Sequence, residues 1–398
     1  MGMKLIGSIW AAVVVTLVAA CSPQQDPGIE QAISHTGDHF APDRRVALFD
    51  IWAEQANGAW ILKGETNNAK AKAALMDSLA AMGIPVTDSV RVLPAAELAG
   101  KTFAIVNNSV ANIRSRPSHP SQLATQALLG MPLQILKKEG GWYLVKTPDD
   151  YISWVDGGGI APMNQSEYEE WASAPKLIYL QTYGFSYQAP DVSSGKVTDL
   201  VAGSVLKMEG KAGSFYEVSY PDGRRGYVAR QEANVFDQWQ QELKTSQTSL
   251  LETSKTMMGA PYLWGGTSTK GMDCSGFTKT VYYMNGMIIP RDASQQVRAG
   301  TRVDDQKKFD QLQVGDLLFF GEPATNSRPQ KVVHVGMWIG DSQFIHSSGR
   351  VHISSVDSTA DNFDAYNLGR YLESRRYLGD RQGNIMPVGA MYALDGRN

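Results

Sequence analysis

An internal duplication constrains the fold of this chain more than any other feature. Sliding residues 130–155 by 73 positions, without a gap, places Gly130 on Gly203, Leu133 on Leu206, Lys138 on Lys211 and Gly140 on Gly213. Tyr143, Val145, Pro148, Asp149 and Val155 likewise meet Tyr216, Val218, Pro221, Asp222 and Val228, while Trp142 falls on Phe215 and Trp154 on Tyr227. Chance over such a window gives about 2 identities, so the chain carries two copies of one folding unit. Each copy alternates apolar and polar residues between glycine and Pro-Asp turns, the period-2 pattern of a small all-β barrel. The copies are expected over residues 104–160 and 175–235. The stretch "PSHPSQLATQALLG" and Tyr151 read as an insertion and a residue of the first copy without close counterparts in the second.

The flanks have other periods. Between residues 42 and 103, two short alternating runs precede a helical period from Ala69 to Met82 and a closing "DSVRVLP". This is a small α/β element with nothing catalytic in it. Residues 22–41 are expected to be a polar tether. After the second copy, the polar, helix-forming "DQWQQELKTSQTSLLETSKTMMG" leads into a last domain at 245–380, where helical and strand patterns mix. The fold class is therefore α+β.

The start of the chain sets the compartment. Lys4, a short apolar run and small residues leading to Cys21 form a secretory signal over residues 1–21, and Val18, Ala19, Ala20 and Cys21 resemble the bacterial lipobox. Cys21 is the expected lipidation site. Ser22 provides no inner-membrane retention signal, so the expectation is an exported lipoprotein anchored in the outer membrane. A net charge of −3 with 19% charged residues leaves no basic footprint for nucleic acid. The chain is expected to act as a monomer.

Of the two cysteines, a lipidated Cys21 leaves Cys274 as a free thiol in an oxidising space, where such groups are prone to crosslinking and oxidation. A buried inert cysteine is the commoner case; the neighbours of Cys274 argue otherwise. "APYLWGGTSTKGMDCSGFTKTVYYMN" reads as a glycine-rich loop entering a helix near Cys274, with Phe277, Val281 and Tyr282 at helical spacing. A helix N-terminus and a nearby histidine lower a thiol pKa and supply thiolate. "VVHVGMWIGDSQFIHSSG" reads as a hairpin bending at Gly340 and Asp341, which sets His334 opposite His346. One imidazole can take the thiol proton while the other orients it. Zinc is the competing reading of Cys274, His334 and His346, but no short metal-ligand doublet is present, and no metal or cofactor is expected. Asp273 could hold a cation and Ser275 an anion or oxyanion; Tyr262 and Trp264 could wall a cleft. Arg291 and Asp292 could pair locally, or Arg291 could meet a substrate carboxylate.

The segments "YLWGGTSTKGMDCSGF", "PRDASQQ", "VGDLLFF" and "HVGMWIGDSQFIHSSG" occur in the order and spacing of the NlpC family of papain-like cell-wall cysteine peptidases, and residues 245–378 resemble its catalytic domain. The duplicated units resemble bacterial SH3-like domains. The resemblance implies Cys274 as nucleophile, His334 as general base and His346 as the third, orienting member. It also implies the architecture: a helix bearing the cysteine packed on an antiparallel sheet, preceded by two SH3-like barrels and the small α/β element. The combination is similar to the dipeptidyl-peptidase VI type of γ-D-glutamyl-L-diamino acid endopeptidase, whose substrates are peptidoglycan stem peptides with a free N-terminal L-alanine. Relatives carry an acidic residue where this chain has Gln122, which leaves Asp273 and Tyr151 to meet the amine. Two other readings keep the fold: a lipid-anchored wall-binding protein without hydrolytic activity, and a thiol acyltransferase.

Overall fold

The structure, a computed structural model, describes residues 26–380 and 385–393. The signal segment and Cys21 lie outside the described residues. The stretch expected to be a tether is instead largely helical, over Pro27–Phe40. Asp26 caps it by accepting from the backbone of Gly28 at 2.8 Å and Ile29 at 3.2 Å, with proline in the first turn. Ile29, Ala32 and Thr36 are its buried face. The polar residues between them hid a narrow apolar stripe. This helix and Ala69–Ala81 share a core with the strands Phe49–Ala56, Ala59–Thr66 and Val86–Val92. The first two strands pair antiparallel, and the third joins in parallel across the helix.

The duplication holds strand by strand. Phe103–Val106, Val110–Arg114 and Leu123–Leu128 in the first copy correspond at the same offset to Lys176–Tyr179, Tyr183–Tyr187 and Lys196–Val201 in the second. Pro132–Glu139, Trp142–Lys146 and Ile152–Asp156 correspond to Val205–Ala212, Phe215–Ser219 and Arg225–Ala229. A register shift between Ile135 and Lys137 recurs between Met208 and Gly210. The segment read as an insertion is therefore none. "PDVSSGKVTDLVAG" is its counterpart of equal length, and Arg224 stands where the first copy has Tyr151. The two copies differ in side chains, not in path.

The copies meet at equivalent turns. Gly130 (φ 81°) and Gly203 (φ 88°) both adopt the left-handed backbone that favours glycine. A Cβ on Gly130 would lie 2.0 Å from the carbonyl oxygen of Val205. Around this contact, Leu128, Val201, Val205, Trp239, Tyr283 and Tyr392 form one apolar cluster drawn from both barrels and the last domain. Burying a large apolar side chain stabilises by roughly 1.5–3 kcal/mol, so this junction ties the modules together. The last domain runs past the expected boundary at 380: Met386–Pro387 pairs with Met287–Ile288, and Tyr392 donates to the Gly130 carbonyl at 2.8 Å.

In the last domain, the helix Cys274–Tyr283 buries Phe277 and Val281 against a six-stranded antiparallel sheet. The strand order is Thr301–Asp304, Tyr371–Arg376, Leu317–Glu322, Lys331–Gly340, Gln343–Ser348, Arg350–Ser355. Leu317, Phe319, Val335, Met337 and Ile345 face the helix. That packing sets Cys274, in the first turn, against the strand that carries His334.

Candidate active site

Asp273 caps the cysteine helix, accepting from the Gly276 backbone at 2.7 Å and the Gly265 backbone at 2.9 Å. Arg291 reaches the same carboxylate with two parallel bonds of 3.1 and 2.7 Å, and also donates to Ser275 Oγ at 2.9 Å and Thr125 Oγ1 at 3.0 Å. Arg291 is 1% exposed. Breaking such a buried bidentate pair costs about 3–5 kcal/mol. The expectation that Asp273 holds a substrate cation is thereby corrected: its cation is Arg291, whose own role is to brace the helix start rather than to meet a substrate carboxylate. The expected local pair between Arg291 and Asp292 is a distant one, at 3.9 Å.

Cys274 is buried in the same cluster as Val335, the residue after His334. The thiol is not depressed as a helix N-terminus alone would suggest. Burial pushes it up to about 12, and the adjacent Asp273 carboxylate adds to the rise, against the pull of Arg291 and nearby backbone N–H groups. An anionic cap and a dry site outweigh the helix dipole.

The histidine pair forms by a register different from the expected one. The turn lies at Asp341 and Ser342, both at positive φ, and a bulge between Trp338 and Gly340 absorbs one residue. Met337 pairs with Ile345, so the ladder sets Gly336 rather than His334 opposite His346. Gly336 leaves the space through which the diagonal imidazoles meet: a Cβ there would lie 3.3 Å from the His346 Cβ. His334 Nε2 is 2.7 Å from His346 Nδ1, and His346 Nε2 is 3.1 Å from Ser354 Oγ, with the Asp364 carboxylate at 4.0 Å. Donation along that chain leaves His334 Nδ1 as an acceptor free for a proton. Burial lowers His334 to about 3 and His346 to about 2, so both rings are neutral near pH 7, the form a base requires. Ser354 and Asp364 escaped the sequence reading. The alternation of His352 and Ser354 on the strand next to His346 was the available signal.

A cleft of about 470 Å3 opens over Cys274. Ser275, Asp273, Tyr262 and Trp264 line one side, and Asp292, Ala293 and Ser294 another, with Val332 and Val333 leading to the buried His334. Trp264 is 62% exposed on the rim. Gln122, Leu123, Ala124 and Tyr151 of the first barrel complete the wall, and no described residue of the second barrel does. The Tyr151 hydroxyl is 3.3 Å from Asp292 Oδ2. Arg45, from the N-terminal element in which nothing catalytic was expected, also lines the cleft.

Residues 259–366 match the NlpC/P60 family, residues 113–159 the bacterial dipeptidyl-peptidase Sh3 domain and residues 187–233 the bacterial SH3 domain. The chain is 32% identical to a gamma-D-glutamyl-L-lysine dipeptidyl-peptidase of Bacillus cereus, over 66% of this chain and 77% of that one. It is 28% identical to the dipeptidyl-peptidase 6 of Lysinibacillus sphaericus, over 64% and 92% of the two chains. Among solved structures it is similar to an NlpC/P60 family protein from Bacillus cereus, with a TM-score of 0.58 at 27% identity, covering 69% of this chain and 99% of the other. A cysteine at a helix start, a buried histidine pair and a barrel walling the cleft thus come with the sequence of known peptidases, and the chain belongs to the NlpC/P60 family.

Proposed function

We propose that the protein is a cell-wall cysteine peptidase that hydrolyses the γ-D-glutamyl–diamino acid bond of peptidoglycan stem peptides. The reading is carried by one observation: Cys274, at the start of the helix packed on the strand that carries His334, lines a cleft walled by the first barrel, and His334 heads a relay through His346 to Ser354. Burial favours the neutral thiol and the neutral imidazole, so His334 must take the thiol proton for the attack to proceed. Sγ adds to the γ-carbonyl carbon as its proton passes to His334 Nδ1. The Cys274 backbone N–H at the helix start supplies a donor to the oxyanion. Collapse breaks the C–N bond, the imidazolium returns its proton to the leaving amine, and water activated by the same nitrogen releases the thioester. His346 and Ser354 keep the ring in the needed tautomer.

The names of the Bacillus cereus and Lysinibacillus sphaericus relatives support the dipeptidyl-peptidase form of this activity. The first barrel walls the cleft beside Cys274, which suits a peptide that ends there in a free L-alanine amine. With Asp273 occupied by Arg291, Asp292 and the Tyr151 hydroxyl are the groups that meet that amine; Gln122, beside them, contributes no charge. Incubating the protein with L-Ala-γ-D-Glu-diaminopimelate and reading products by mass spectrometry tests the reading: L-Ala-γ-D-Glu and free diaminopimelate are expected, and an intact tripeptide would refute it. Export as a lipoprotein on Cys21, with an outer-membrane anchor, belongs to the same proposal. It predicts a membrane-bound, acylated protein that Cys21→Ser releases.

A further inference from the structure

The N-terminal α/β element sends one side chain into the cleft. Arg45 Nε and Nη2 grip both oxygens of Asp43 at 2.8 and 2.7 Å, which fixes the plane of the guanidinium. Its Nη1 then bonds Asp292 Oδ2 at 2.7 Å and Ser294 Oγ at 3.0 Å, two groups that line the cleft, across 247 residues of sequence. Asp43 Oδ2 also accepts from Gln295 Nε2 at 2.9 Å. The Arg45 carbonyl accepts from the Ile152 backbone at 2.7 Å, next to Tyr151. The segment from Asp43 to Arg45 therefore staples the short helix Ala293–Gln296 to the barrel strand that follows Tyr151.

The donors of Arg45 are nearly all taken by protein groups, so it is poorly placed to bind a substrate anion itself. The charges it organises point elsewhere. Two carboxylates, Asp43 and Asp292, share one guanidinium, and Arg291 is matched by Asp273. One negative charge remains in excess along the cleft, and of the two carboxylates that share Arg45 it is Asp292 that lines it. We infer that Arg45 is a positioning residue for substrate selection: it holds Asp292 and Ser294 in place for a peptide with a free ammonium terminus, and so makes the N-terminal element part of the specificity site. The inference rests on the amine recognition proposed above.

The test compares L-Ala-γ-D-Glu-diaminopimelate with its N-acetylated form on the full chain. Wild type should favour the free peptide by about tenfold or more in kcat/KM, the order of one charged hydrogen bond. Arg45→Ala should raise KM for the free peptide by about tenfold with kcat within a few-fold, and leave the acetylated peptide unchanged. Arg45→Lys, which can replace the charge but not the fork, should recover part of the loss. Lys63→Ala, on the surface of the same element, should change neither substrate, and melting curves check that each variant folds. Unchanged or lowered KM in Arg45→Ala, or equal losses on both peptides, would overturn the positioning role while leaving the amine reading intact. A wild type that treats both peptides alike would overturn the two together.

Discussion

Six strands of the two barrels share their boundaries at a constant offset, yet only the first barrel lines the cleft among the described residues. Gln122, Leu123, Ala124 and Tyr151 stand at the wall in one copy, whereas Gly195, Lys196, Val197 and Arg224 occupy the equivalent positions in the other. Both touch the loop that precedes the cysteine helix, by different means. Gln126 accepts from the Thr267 backbone at 2.9 Å and from Ser268 Oγ at 3.1 Å, in a buried setting. Its counterpart Asp199 makes a half-exposed ion pair with Lys270. Duplication supplied two scaffolds of one shape, and docking against the last domain turned one of them into part of a binding site. The backbone is common property; the role depends on a few side chains and on which face is covered.

The molecule has a last domain that carries the thiol and imidazoles, one barrel that walls the cleft and one that does not, and substitutions can break that division. The largest effect should come from Cys274→Ala, which is expected to lower turnover by about 10^4-fold or more, with the melting temperature within a few degrees. Peptide affinity, measured by calorimetry on this variant, should stay within a few-fold of wild type because the barrel wall is untouched. Retained turnover would take catalysis away from this thiol.

Next in size is the pair of loop contacts. Gln126→Ala leaves the buried Thr267 N–H without its partner and should destabilise by about 1–3 kcal/mol. Asp199→Ala removes a partly solvated ion pair, at most about 1 kcal/mol. Scanning calorimetry that ranked the two the other way would show that burial does not set the strength of these two loop contacts.

Acid should act on the reacting domain before either barrel. His334 and His346 fold with pKa values below the unfolded value near 6.5, so the stability they contribute is present above that pH and is lost as pH falls towards 3. The loss by pH 5.5 should be about 1 kcal/mol for each ring. Hydrogen exchange at pH 5.5 and 7 should register it in the strand Lys331–Gly340 first, and a uniform response across all modules would contradict this.

The smallest expected effect compares equivalent side chains. Tyr151→Phe removes a neutral hydroxyl bond to Asp292 and should raise KM for the free-amine peptide by about 2- to 10-fold, while Arg224→Ala should leave kinetics unchanged. An equal response to both would mean that the second barrel also contributes to selection.

Much of the site was legible in the chain because its chemistry is local. Cys274 announces itself by the glycine-rich loop and the helical spacing of Phe277 and Val281. The histidines do so by a short hairpin, although the bulge between Trp338 and Gly340 moved the pairing. Asp273 shows where local reading fails. Beside a nucleophile it reads as a ligand for a cation, and the cation proves to be Arg291, brought back by the fold to brace the helix. The helix Pro27–Phe40 was missed for a related reason: its buried stripe is narrow, and a polar composition outweighs it until a partner surface is known.

The sequence by itself determined the duplication, the α+β class and the identity of the thiol and imidazoles, since periodicity, turns and residue chemistry act over a few neighbouring positions. Tertiary structure alone decided which barrel walls the cleft, which cation Asp273 serves, and that Arg45 reaches Asp292 across 247 residues. Contacts at such separation leave no periodic trace in one chain, because they depend on the packing of whole modules, and packing depends on surfaces assembled from many distant residues at once.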